Sequence, residues 1–150
     1  MVSWSDFAAQ APALAESGRS LIYRTSEGEA LLATVRDDEP PRIHPIVVAI
    51  HEGRLLAFVF RSPKHDALVA DGRYALHSHQ DPAAPSEFMV RGRARVVDAA
   101  EERASAAAAW SFQTGETYTL FEFLIETALL GERRADEWPP RYSRWSAGHQ

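Results

Sequence analysis

The chain has no cysteine, which excludes disulfides, thiolate metal sites and thiol nucleophiles. Lysine occurs only once, as Lys64. Basic charge is in deficit, with 16 Lys and Arg against 21 Asp and Glu, a formal charge of -5 and a pI near 5.7. A nucleic-acid binder would show a strongly basic face, so that class is set aside. Long apolar runs are missing too, and nothing approaches the roughly 20 residues of a membrane span. The opening residues, Met1-Val2-Ser3-Trp4-Ser5-Asp6, have neither a basic region nor a long apolar core. The expectation is no signal peptide, no membrane partner and a cytoplasmic location. No Ser-His-Asp order or nucleophile elbow points to a hydrolase.

A length of 150 residues with 45% apolar content suits one globular domain over 1–150, and no repeat, linker or low-complexity block divides it. Trp4, Phe7, Ala8, Ala11, Leu14 and Ala15 recur at helical spacing, with Ser3 or Ser5 as cap, Pro12 as a break and Gly18 as a stop. Short β-like runs follow at 20–23, 30–36, 43–50 and 54–60, separated by turn signals at Glu27-Gly28, residues 37–41 and Glu52-Gly53. The spacing is that of antiparallel hairpins. Further strands are expected at 73–79, 87–97 and 118–130, a helix at 99–112, and a last short strand in 131–150. Along 87–97, Phe88, Val90, Gly92, Ala94 and Val96 share one face, and Met89, Arg91, Arg93 and Arg95 the exposed other. The fold class is mainly β: an antiparallel barrel with peripheral helices, because closure removes sheet edges.

The densest chemical signal is Arg61-Ser62-Pro63-Lys64, directly after the apolar run 55–60. Ser62 can cap a helix and Pro63 fits its first position. Arg61 and Lys64 then flank a helix N-terminus that already favours anions, a seat for a phosphate. Arg42 and His44 lie two apart, on one face of their strand. His77 and His79 also share a face, but no third ligand is visible and no metal is expected. The arginines 91, 93 and 95 read first as a solvated face. Trp110, Trp138 and Trp145 read as core or interface anchors.

Four segments taken in order carry a resemblance: Leu31-Leu32-Ala33-Thr34-Val35; Pro41-Arg42-Ile43-His44-Pro45-Ile46; 55–60 running into Ser62-Pro63-Lys64; and 72–78 followed by Val90-Arg91-Gly92-Arg93-Ala94. Together they resemble the pyridoxamine 5'-phosphate oxidase-like family of flavin-binding split barrels, chiefly over 20–98. The resemblance implies a six-stranded antiparallel split β-barrel of the FMN-binding type, paired as a homodimer with FMN in clefts between subunits. It implies cofactor contacts from Lys64, Ser62 and Arg61, and from the strand residues Arg42, His44, Pro45 and Ile46, with Phe60 at the end of the preceding strand. Hydride transfer to a small substrate would follow, with no catalytic acid or base discernible. Two departures weigh against pyridoxamine phosphate itself as substrate. Pro63 stands where the oxidase has a basic residue, and the oxidase's C-terminal Arg-x-His motif is replaced by 138–145, Trp-Pro-Pro-Arg-Tyr-Ser-Arg-Trp. Alternatives within the fold are a deazaflavin coenzyme, or a non-catalytic flavin- or haem-binding protein with His44 or His77 as axial ligand.

Overall fold

The computed structural model describes residues 1–148. Two helices open the chain, α1 (Trp4–Gln10) and α2 (Pro12–Ile22). Then come β1 (Gly28–Thr34), β2 (Arg42–His51), β3 (Arg54–Phe60), α3 (Pro63–Ala70), β4 (Arg73–Ser78), β5 (Glu87–Val96), α4 (Ala100–Ala108), β6 (Tyr118–Glu132) and β7 (Arg141–Ser146). The strand order is β3-β2-β1-β4-β5-β6-β7, and β3 also pairs with β6, so six antiparallel strands close into a barrel with β7 added outside the ring. The long β6 makes this possible. One of its edges follows β5, while the other is shared by β3 over 118–122, by Val2 at Ile125 and by β7 over 127–132.

Period-two patterning sends one side of each strand inward. Leu32, Val48, Leu55, Leu76, Val90 and Phe123 are essentially fully buried in the main core. The opening helices add Trp4 and Phe7, whose rings meet each other and Phe88 at 5.3–6.4 Å, distances at which aromatic pairs attract. A smaller cluster of Leu56, Phe58, Val97, Ala106 and Leu120 lies outside the barrel wall, under α4.

Five expectations are corrected. Residues 20–23 are not a strand, because α2 runs to Ile22. Gly18 is no stop. It lies mid-helix where the Phe88 ring packs so close that a Cβ would come within 2.5 Å of it. The apolar strand expected over 55–60, which would offer an apolar face to a homodimer partner, is buried over 55–59 within the single chain on both sides, by the barrel interior and by α4. Met89 is half-buried, not exposed, since it stands between His77 and Leu129 on the neighbouring strands. The helix expected over 99–112 is shorter, ending at Ala108, and Trp110 lies beyond it, edge-on to Phe58 at 5.0 Å.

Candidate functional site

The turn from β3 into α3 is built as its sequence dictates. Ser62 is the extended N-cap residue and Pro63 occupies the first turn. The Ser62 hydroxyl donates to the Phe60 carbonyl at 2.9 Å and accepts from the His65 amide at 3.4 Å, so its hydrogen bonds go to local backbone. His65 fastens the helix to the barrel. Its Nδ1 meets Asp66 at 3.0 Å, its Nε2 meets the Thr119 hydroxyl at 2.8 Å, and its ring lies edge-on to Phe121 at 5.7 Å.

Beside this helix start, β1 and β2 pair with Thr34 opposite Arg42 and Leu32 opposite His44. Leu32 and Thr34 are both buried, so Arg42 and His44 share the inward-facing side of the sheet at its open end. A cleft of about 230 Å³ lies there, lined by Thr34, Arg36, Arg42, Pro63 and Asp66 among others. Two polar atoms at this corner are buried without a partner, the Thr34 hydroxyl and His44 Nε2. Such groups are costly unless something completes them, and they are rare enough to need an explanation.

The electrostatics are mixed but tilt positive near the helix start. Burial first, then the charges of Lys64 and Arg42, hold the His44 imidazole below its ordinary value of 6.5. Asp66 is held below the usual carboxylate range by its bond to His65, with Arg61 and Arg36 adding to the effect. Glu39 lines the cleft as well and lies 3.7 Å from Arg42 in an exposed pair. Arg36 and Arg42 line the cleft together with the carboxylates of Glu39 and Asp66, and the charges of Arg61 and Lys64 act on it from beside the helix start.

Of the residues singled out in the sequence, Arg42, His44, Arg61, Ser62 and Lys64 come to this one corner. Ile46 points into the main core, Pro45 lies exposed on the outer side of β2, and Phe60 turns outward against the Tyr118 ring at 5.6 Å. Thr34 and Arg36 were missed. A threonine in step with Ala30 and Leu32 was the available signal, but its meeting with Arg42 depends on hairpin register.

The remaining candidates are engaged elsewhere. His77 contacts the Ser78 carbonyl at 2.6 Å and Glu87 at 3.3 Å. Arg91, Arg93 and Arg95 reach Thr127, the Asp71 carbonyl and Glu122 respectively. Trp145 packs on Phe7, while Trp138 is largely exposed beneath Arg133. Among the described residues no group of three or more metal-ligating side chains is assembled, and no helix is long and apolar enough to cross a membrane.

No family model matches the chain, and no curated protein does. Solved structures do. A Clostridium acetobutylicum protein related to general stress protein 26 of B. subtilis, described as of the pyridoxinephosphate oxidase family, aligns with a TM-score of 0.64 at 16% identity, covering 90% of this chain and 94% of that one. A haem-binding protein from Mycobacterium smegmatis aligns at 0.64 and 15% identity over 87% of this chain, which spans only 57% of that longer one. An FAD-binding protein from Mesorhizobium loti aligns at 0.57 and 16% identity, over 75% and 90% of the two chains. At such identities it is the shared architecture that is established, and the barrel closed by β3 on β6 is the split barrel of the pyridoxamine 5'-phosphate oxidase-like proteins.

Proposed function

We propose that this chain is an FMN-binding oxidoreductase whose flavin phosphate sits at the corner between Arg42, His44, Arg61, Ser62 and Lys64. The observation that carries the reading is the convergence of these cations, at a capped helix start, with the two unpartnered buried polar atoms, Thr34 Oγ1 and His44 Nε2. A helix N-terminus with basic neighbours favours a phosphate on electrostatic grounds. When bound, FMN would supply the hydride chemistry to a small substrate. The protein's own part is to hold the phosphate, orient the ring and exclude water from it. Arg42 and Lys64 contribute charge, while Ser62 positions Lys64 by fixing the first turn of α3. Pro63 and the altered C-terminal segment weigh against pyridoxamine phosphate as the substrate. A deazaflavin coenzyme, with its phosphodiester tail, would use the same cations.

Lys64→Ala is expected to weaken FMN binding but not riboflavin binding. A charge-assisted bond to phosphate is worth roughly 1.5–3 kcal/mol, or roughly 10- to 150-fold in affinity. Rising salt should shrink the difference. Titrating apoprotein with both ligands decides it, and equal losses for the two would remove the phosphate seat.

A haem-binding neighbour brings a second reading, and it has one specific support. Haem needs an axial ligand, and His44 Nε2 is unpartnered whereas His77 Nε2 meets Glu87. The absorption spectrum of whatever co-purifies separates the two, as a flavin envelope or a Soret band.

The same reading includes a homodimer, formed through a surface other than the buried run 55–59. Ile43 is 70% exposed on the outer side of β2, and the strand register puts Leu31, Ala33, Pro45, Ala75 and Met89 on the same outward side of β1, β2, β4 and β5, with His77 and Arg91 among them. A largely apolar sheet face carrying an arginine suits burial across a two-fold axis, where arginine is favoured. Light scattering should give twice the chain's 16.7 kDa, and Ile43→Lys should shift it toward a monomer. A monomeric mass at micromolar concentration would rule the homodimer out.

A further inference from the structure

We propose that His44 takes up a proton when a dianionic phosphate settles at this corner, so that the site favours doubly charged ligands and holds them more tightly as the pH falls. The inference rests on the phosphate reading above and adds to it a reason for the histidine.

The geometry is specific. His44 is partly buried, its Nε2 has no hydrogen-bond partner, and it is flanked by Arg42 on its own strand and by Lys64 on α3. Across the sheet it faces Leu32, which is apolar, with the uncharged Thr34 next along β1. Two carboxylates, Glu39 and Asp66, line the adjoining cleft, and His65, bonded to Asp66 and Thr119, is the other titratable ring at this helix start. In the free protein the ring is therefore kept neutral by burial and by two like charges. A dianion offsets both cations at once, and protonation of the ring, opposed before, becomes favourable. A neutral ligand such as riboflavin changes nothing here, and a monoanion offsets only one charge. By linkage, if the ligand favours the proton, the proton favours the ligand by the same factor. The proton comes from solvent, and no bond to the ligand is made or broken.

Sulfate is the probe of choice, because it stays doubly charged where phosphate esters lose their second charge near pH 6. The imidazole signal of His44 in the intact apoprotein is followed by NMR from about pH 5 to 8, with and without saturating sulfate. Its assignment comes from the signal lost in His44→Gln among six histidines. The midpoint should lie below 6.5 without the anion and move up by about one pH unit with it, which is a tenfold tightening of sulfate across the window. His44→Gln should bind sulfate at high pH like the parent and lose that pH dependence. Binding of dianionic FMN near neutral pH should take up protons from solvent, read by calorimetry in two buffers of different ionisation enthalpy, and no uptake there would count against the inference. A His44 midpoint unmoved by bound sulfate overturns the inference while leaving the phosphate seat intact. Absence of any sulfate or FMN binding, with Lys64→Ala equally inert, overturns the seat and this inference together. Should His44→Gln fail to fold, the midpoint shift in the parent protein decides the matter alone.

Discussion

Gly92→Val is expected to destabilise the protein severely, by on the order of 3–5 kcal/mol. The position lies in β5, at a register shift where Arg91 opposes Thr127 but Gly92 opposes Ile125. The extra residue in β6 brings the Leu124 carbonyl so near that any Cβ at 92 would overlap it, lying within 3.1 Å of both the carbonyl carbon and the Glu126 amide nitrogen. Those neighbours are backbone, and they cannot swing aside as a side chain tip would. Relief requires prising β5 from β6, the most extensive strand pair in the barrel. Loss of that size is a large part of the 5–15 kcal/mol that holds a typical domain together. At about 2–4 °C per kcal/mol for a chain of this length, melting should fall by roughly 6–20 °C. Met89→Val, three residues away on the outward side, should cost about 1 kcal/mol or less. Thermal melts followed by circular dichroism compare the two, and equal tolerance would disprove the bulge.

Glu122→Ala should be the second most damaging single change. Glu122 is 1% exposed, yet it is a carboxylate on the outer side of β6. One of its oxygens receives Arg54 Nη2 at 2.8 Å, and Arg95 Nε and Nη2 at 2.9 and 2.6 Å. Arg54 in turn lies 3.5 Å from Glu102 on α4, so the cluster ties β3, β5, β6 and α4 together. Breaking a buried pair by removing one partner costs about 3–5 kcal/mol, because the other charge is left uncompensated. Arg95 is 58% exposed and can turn to water, which lowers the expectation to about 2–3 kcal/mol. Burial alone would raise the Glu122 titration, but the bonds from Arg54 and Arg95 outweigh it and hold the carboxyl below its ordinary 4.5. The sign follows. A carboxyl depressed in the folded state stabilises above its unfolded value, and that contribution is lost as the pH falls through the folded one. Wild-type stability should therefore decline in acid, below about pH 4.5, more steeply than that of Glu122→Ala. Urea unfolding at neutral pH and at pH 3–4 measures both effects, and a neutral substitution with an unchanged acid slope would dismiss the cluster as decoration.

How much of this was legible in the chain depends on the range of the interaction. The strands at 54–60 and 87–97 and the helix at 63–70 follow from neighbours within a few residues: alternation, Ser-Pro at a helix start, Gly and Asp at turns. The anion seat was half legible for the same reason, since Arg61 to Lys64 are contiguous and Arg42 and His44 share a strand face. Its other half, Thr34 and Arg36, arrives by the register of β1 on β2, which local pattern does not specify. Ser62 looked free for a ligand, and only the folded turn showed its hydroxyl taken by the Phe60 carbonyl and the His65 amide.

The errors also share a physical cause. Gly18 reads as a helix stop because glycine usually is one, but here a phenylalanine 70 positions later needs the space. Residues 20–23 read as β-like by composition, and tertiary packing of Ile22 in the core kept them helical. Glu122 merely alternates with the apolar residues of its strand, until α4 folds over that side and two arginines enclose it. Composition and local order alone determined that this chain is an acidic, cysteine-free barrel of antiparallel strands with a basic helix start. The tertiary structure decided which polar groups are left without partners, which apolar face stays open and which charge is buried, because those depend on contacts between residues far apart in sequence whose register no local pattern carries.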